Sequence, residues 1–449
     1  MGETDTDAAD QFDARVSAGR MDESTRGLWR RVWRLPRNVV AISSVSLLND
    51  ASSEIVYPLL PAFLKGLLGV SSPYAAAVIG LIEGAAESVS SLLKLFSGYF
   101  SDRRGRRKGF VVFGYALAGL MRPLLGFASS WHQVLFIRLA DRVGKGIRSA
   151  PRDAMIADAT PPHERGLAFG FHRAMDHCGA VVGPLLGAAI IYVIAENRAV
   201  PTTADYRTVF LLASVPALAA VLVAAVFVRE KRRGAAPVAP AAAEAGAEAV
   251  ATPPPQKLSL RGFDGNFKRF LVLVSLFTLS NSSDAFLILR AQDAGVGGAS
   301  IPLLWSALHV SKVISSLVGG NLSDRLGRKT LIVSGWLLYA LVYLAFARVS
   351  TPGEAWALFL VYGVYFGLAE GAEKALVADL VRPEQRGTAY GLYNLAFGIT
   401  VLPASLLMGA VWGTFSPEAA FVTSAAIGTT AALLLAFFVR QKKMSDVRH

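Results

Sequence analysis

A chain of 449 residues with 53% hydrophobic and only 17% charged side chains is not a set of water-soluble domains, whose surfaces carry far more charge. The net charge of +12 would point a soluble protein towards nucleic acid. Here the cations sort into alternate loops between apolar runs, so membrane topology accounts for them and no nucleic-acid partner is expected.

The first residues are polar and acidic and lack the apolar core of a leader, so no cleavable signal peptide is expected. Trp29 and Trp33 then stand one turn apart among arginines, which suits a short helix on an anionic leaflet or a plain basic flank. Apolar runs follow, each long enough to cross ~30 Å of hydrocarbon as a helix of about 20 residues. They lack the alternation of barrel strands. The predicted spans are 39–63, 74–100, 109–128, 131–157, 165–194 and 206–228, then 267–290, 299–323, 329–348, 354–380, 386–412 and 417–440. The only cysteine, Cys178, lies in one of these runs and excludes a disulfide framework. Between the two sets lies an Ala/Pro/Glu-rich stretch that reads as a flexible tether. The expected organisation is an all-α integral membrane protein of twelve helices: a tail 1–37, a six-helix bundle 38–228, a linker 229–266, a second bundle 267–440 and a tail 441–449. Positive charge on alternate loops puts both termini in the cytoplasm, across an inner or plasma membrane.

The turn after the second span carries Gly98, Asp102, Arg103, Gly105 and Arg106, and it returns after the eighth as Gly320, Asp324, Arg325, Gly327 and Arg328. Asp158, Arg165 and Gly170 are likewise echoed by Asp379, Arg386 and Gly391. Such a whole-domain repeat implies two bundles related by a pseudo-two-fold along the membrane normal, with a site between them and alternating access by rocking. The repeated turn resembles the loop between helices two and three of the major facilitator superfamily, and its echo between helices eight and nine. The resemblance covers about residues 38 to 440. It implies that Asp102 approaches the start of the eleventh helix, held by Arg103 and Arg106 in an inter-bundle network that favours one access state. Asp324, Arg325 and Arg328 would do the same for the fifth helix.

The fourth span is the most heavily charged. At ~100° per residue, Arg138, Arg142, Lys145 and Arg152 fall within about 80° of one another, with Asp141 at the edge. Charges at the bilayer centre cost on the order of 2.5–3.5 kcal/mol each, so this stripe faces either carboxylates or a water-filled cavity. Arg138 also matches the fourth-helix arginine that proton-coupled members use near their proton site, whereas Arg142 stands where many drug exporters have glycine. Acids available to meet the stripe are Asp50 and Glu54 on the first span and Glu83 and Glu87 on the second, beside Lys94. Burial and neighbouring cations tune a carboxylate to load and release a proton. Asp50 is the leading proton carrier, because the first helix lines the cavity in the family.

The fifth span places Gly179, Gly183, Pro184 and Gly187 so that helix backbones can approach closely. The pattern also resembles the fifth-helix signature of the superfamily's antiporters. His172, Arg173, Asp176 and His177 lie just upstream. In the second half, Trp305, His309 and Lys312 share a face, and His309 titrates near neutrality when unperturbed. Glu370 and Glu373 end the tenth span, where Glu373 stands opposite Arg152 by symmetry and suggests a latch between halves. Asn281, Asp284, Tyr390, Tyr393 and Asn394 offer polar lining.

No metalloprotease, serine-hydrolase or nucleotide-loop motif is present, so an enzyme or ATP-driven pump is not expected, nor a metal or cofactor. The expected protein is a monomeric secondary transporter of a small organic solute, embedded in lipid and coupled to protons. Efflux by antiport is the leading reading. Import of an organic anion by symport, or a solute sensor of the same fold, are the alternatives.

Overall fold

The computed structural model describes residues 34–69, 74–104, 106–161, 165–230, 260–382 and 385–440. The region around Trp29 and Trp33, most of the tether and the last residues lie outside them. Among the described residues, twelve membrane-length helices run in order: α1 (Arg37–Leu68), α2 (Ala75–Arg104), α3 (Lys108–Phe127), α4 (Trp131–Ala159), α5 (Arg165–Ile194), α6 (Thr203–Phe227), α7 (Gly265–Asp293), α8 (Ile301–Leu326), α9 (Arg328–Arg348), α10 (Pro352–Asp379), α11 (Arg386–Thr414) and α12 (Pro417–Phe438). Ten are long and apolar enough to cross a membrane by length and composition. The other two are α4, whose middle is too charged, and α8.

Packing repeats pair by pair. In the first half α1 lies on α5 and α6, α4 on α2 and α3, and α3 on α6. In the second half α7 lies on α11 and α12, α10 on α8 and α9, and α9 on α12. The halves then meet through α2 with α11 and α5 with α8. Exchange of the halves converts each of those contacts into the other, which is the signature of a pseudo-two-fold axis.

Local sequence explains the departures from straight helix. Pro58 and Pro61 lack N–H donors, and α1 tightens to a 3-10 turn at Tyr57–Leu59. Helix α7 breaks after Ser280, where Asn281 leaves helical geometry at φ −90° and ψ 78°. The Ser280 carbonyl freed by the break accepts from the Tyr339 hydroxyl at 2.5 Å, which satisfies a backbone group that lipid could not. Ser130 caps α4, and a Thr351–Glu354 capping box starts α10.

The α5 glycines serve helix approach. A Cβ on Gly179 would lie 2.5 Å from the Leu47 carbonyl oxygen of α1, and one on Gly183 would lie 3.0 Å from Ala51 Cα. Gly187 and buried Pro184 continue the same contact face. The two cores differ in chemistry. The second half is filled by aromatic rings such as Trp336, Tyr339, Tyr343 and Tyr362, whereas Arg122, Arg138, Asp141 and Arg148 are buried in the first.

Candidate functional site

A cavity of about 480 Å³ lies between the halves. It opens at the face where Glu370 and Lys374 are half-exposed. The opposite face is shut. There Gly298 N–H donates to the Ala199 carbonyl at 2.8 Å and Ala299 N–H to Arg198 at 3.0 Å. Beside this ladder Lys65 at the end of α1 pairs with Asp293 at the end of α7 at 3.0 Å.

At the floor, Trp305 of α8 donates its indole N–H to Glu54 of α1 at 2.7 Å. His309 Nε2 lies 3.9 Å from the same carboxylate oxygen. Tyr57 stacks obliquely on Trp305, with ring centroids 5.1 Å apart, and its hydroxyl lies 3.4 Å from Ser283 Oγ in the break of α7. Side chains of the two halves therefore interlock around one acid.

Behind the first-half wall, Arg138 grips the cavity-lining Glu83 with two nitrogens at 2.8–3.0 Å, both side chains buried. Arg142 and Lys145 also face the cavity, with Lys94 and Glu87 from α2. Glu87 sits in the combined field of Lys145, Arg142 and Lys94, and Arg142 Nε is buried without a hydrogen-bond partner. On the second-half wall the acids are occupied. Asp284 accepts from Tyr362 at 2.8 Å and lies 3.7 Å from Lys312. Glu370 pairs with Lys374 at 2.7 Å.

Several expectations need correction. Asp50 is not among the cavity-lining side chains; it accepts from Asn49 Nδ2 at 2.9 Å, next to the α5 glycines. Asp141 turns away from the cavity to Arg122 of α3 at 3.3 Å, since a second charged face of α4 packs on α3. Arg328 closes on its own half, donating to the Ala375 carbonyl at 2.7 Å and pairing with Asp379 at 2.6 Å, rather than reaching α5. Arg107 makes the equivalent pair with Asp158 in the first half, so the repeated turn ties α3 to the end of α4, and α9 to the end of α10. Arg152 and Glu373 do not meet in this state. Arg152 bonds Asp153 at 3.0 Å and Ser46 at 3.2 Å, while Glu373 accepts from Trp336 at 2.7 Å and Tyr393 at 2.6 Å. Arg106 is exposed, and Gly327 makes the turn into α9 at φ 88°. Gly105 lies outside the described residues, and the structure does not describe the side chains of Asp102, Arg103, Asp324 and Arg325 or the surroundings of Gly98.

Arg122 is the residue that the sequence reading missed. It donates to the Asn49 carbonyl and to Asn49 Oδ1, both at 2.9 Å, and joins α1, α3 and α4 around Asp141. A lone arginine between Gly119 and Pro123 in an apolar run was its signal, and the run's end disguised it as a flank.

A polar cavity between two pseudo-symmetric helix bundles, open at one membrane face and sealed at the other, defines an alternating-access membrane transporter. The Major Facilitator Superfamily model matches residues 42–309 and 269–449, and the chain belongs to that superfamily. It is similar to an uncharacterized MFS-type transporter of Methanocaldococcus jannaschii, at 33% identity over 90% of this chain and 95% of the relative. The multi-drug resistance efflux pump PmrA of Streptococcus pneumoniae is 25% identical over 84% of this chain and 89% of its own length. In fold the chain resembles a D-xylose-proton symporter, with a TM-score of 0.71 at 17% identity, over 90% of this chain and 97% of that one. It also resembles an inward-facing, occupied bacterial homolog of the human lysosomal transporter Spinster, with a TM-score of 0.69 at 16% identity, over 90% and 96% of the two chains. The protein is thus a multi-pass secondary transporter that moves a small solute by alternating access, and not an enzyme.

Proposed function

We propose that this transporter carries a small organic anion together with protons, in the same direction. The observation behind the reading is the group of cations Lys94, Arg142 and Lys145 around Glu87 on the cavity wall. An anionic solute that engages these cations leaves Glu87 without its counter-charge, so the carboxylate takes up a proton as the solute binds. Linkage is reciprocal, and the proton in turn strengthens solute binding. A cationic solute would instead compete with the proton for the same acid, which is the logic of exchange. Arg138 and Glu83 hold α4 and α2 in register beneath this site. Glu54, tied to Trp305 and His309 across the interface, reports its charge to the other half.

The basic turns mark the open face as cytoplasmic, with both termini on that side and the cavity facing inward. The bundles 38–228 and 267–440 rock as units, and one chain suffices.

Proton-driven export is the second reading, favoured by the resemblance to PmrA and by 25% identity to the multidrug resistance protein MdtG of Enterobacter lignolyticus. Proteoliposomes holding a trapped pH dye separate the two. An aryl sulfonate added outside is too strong an acid to leak in neutral form. Under symport its entry acidifies the lumen, and Glu87→Gln abolishes the signal. Alkalinisation of the lumen would overturn the proposal in favour of exchange.

A further inference from the structure

We infer that the cavity is built for an organic anion with an aromatic or otherwise apolar body, and that it discriminates against the same body carrying an ammonium group. This deepens the anion reading above and rests on it.

The charges of the cavity are unevenly spent. On the first-half wall, Arg142 lines the cavity while nine-tenths buried, and its Nε has no hydrogen-bond partner. Lys145 and Lys94 stand beside it. A carboxylate or sulfonate placed there gains charge-assisted hydrogen bonds from groups already desolvated.

No such vacancy greets a cation on the second-half wall. Glu373 is filled by Trp336 and Tyr393, Glu370 by Lys374, and Asp284 by Tyr362 and Lys312. Glu54 already accepts from Trp305. An ammonium on that wall sheds water without gaining a free buried carboxylate, which is costly, and at Glu87 on the opposite wall it must stand against Lys94, Arg142 and Lys145. One ring face of that wall is already taken by a cation, since Phe366 carries Lys312 Nζ 3.6 Å from its centroid. The rest of that wall, with Phe277, Tyr365 and Phe397, offers aromatic surface to an apolar body.

The experiment is equilibrium binding to the full-length detergent-purified protein, read by tryptophan fluorescence with Trp305 in the cavity. The probes share one body: 3-phenylpropionate, 3-phenylpropanesulfonate, phenylalanine and phenethylamine. The two anions should bind at least 10-fold more tightly than phenylalanine, with phenethylamine weakest. Arg142→Gln should weaken the anions by 10-fold or more, while Arg269→Gln, which removes an exposed cation outside the cavity, should leave them within about 2-fold. A thermal unfolding scan without ligand verifies that each variant is folded. Binding of phenylalanine or phenethylamine as tight as that of the anions, or no binding by either anion, overturns the inference. Because no gradient is present, anion-selective binding without lumen acidification would leave the inference standing and sink the symport reading alone.

Discussion

Glu54 of α1 accepts the indole N–H of Trp305 from α8 at 2.7 Å, so one hydrogen bond joins the two halves at the cavity floor. Buried bonds to a charged acceptor contribute roughly 1.5–3 kcal/mol, enough to bias an access equilibrium by a factor of 10 or more. Trp305→Phe keeps the ring against Tyr57 and deletes only the donor. Gradient-driven flux is expected to fall at least 10-fold, with the thermal midpoint shifted by a few degrees at most. Equal flux in mutant and wild-type proteoliposomes would show that the bond is incidental.

Arg138 and Glu83 form a buried, doubly hydrogen-bonded pair. Removing one member leaves a buried charge alone, at about 3–5 kcal/mol. Arg138→Ala is therefore expected to lose both gradient-coupled flux and stability. Arg138→Met with Glu83→Leu should recover most of the stability and none of the flux. Thermal unfolding of the two variants and the wild type checks the ordering, and a double variant no more stable than Arg138→Ala would refute the pairing argument.

The α5 glycines predict a steric threshold. A methyl on Gly183 meets Ala51 Cα at 3.0 Å and Glu54 Cβ at 2.9 Å. Overpacking of this kind costs roughly 1–3 kcal/mol. Gly183→Val should lower the unfolding temperature and transport, whereas Gly187→Ala, whose nearest neighbour would be 3.3 Å away, should be tolerated. Equal effects at the two positions would contradict the close approach of α1 and α5.

Lys65 and Asp293 pair at the sealed face with side chains 25% and 34% exposed, so the pair contributes only about 0–1 kcal/mol. Lys65→Asp is expected to open that face slightly, and adding Asp293→Lys to restore it. Thiol labelling of Ser405→Cys in a Cys178→Ala background, from the sealed side, reads the change. Labelling rates that ignore the charge swap would remove the pair from the seal.

The halves, spans and helix-packing glycines were legible because lipid enforces length and apolarity, and because close backbone approach needs glycine. The partners were less so. Helical spacing placed Arg138, Arg142 and Lys145 on one stripe, but α4 is charged on two faces, and period alone could not say that Asp141 looks to Arg122 instead. Lone polar residues near span ends carry no periodic signal, which hid Arg122 and Asn49. Arg328 was assigned to the other half by resemblance, whereas Asp379 at the end of α10 is its nearer partner.

The ladder between Ala199 and Gly298 and between Arg198 and Ala299 is made of peptide groups. At Arg198, Ala199 and Ala299 the amides and carbonyls remain whatever the side chain, so the lid over the substrate chamber depends on side-chain identity chiefly at Gly298, which packs against Pro201. A saturation screen of these loops should be nearly silent apart from Gly298, where any Cβ would collide with Pro201, and apart from proline at 299, which deletes a donor outright. Evolutionary drift there would leave the barrier intact, and sequence alone would not betray where the pathway closes.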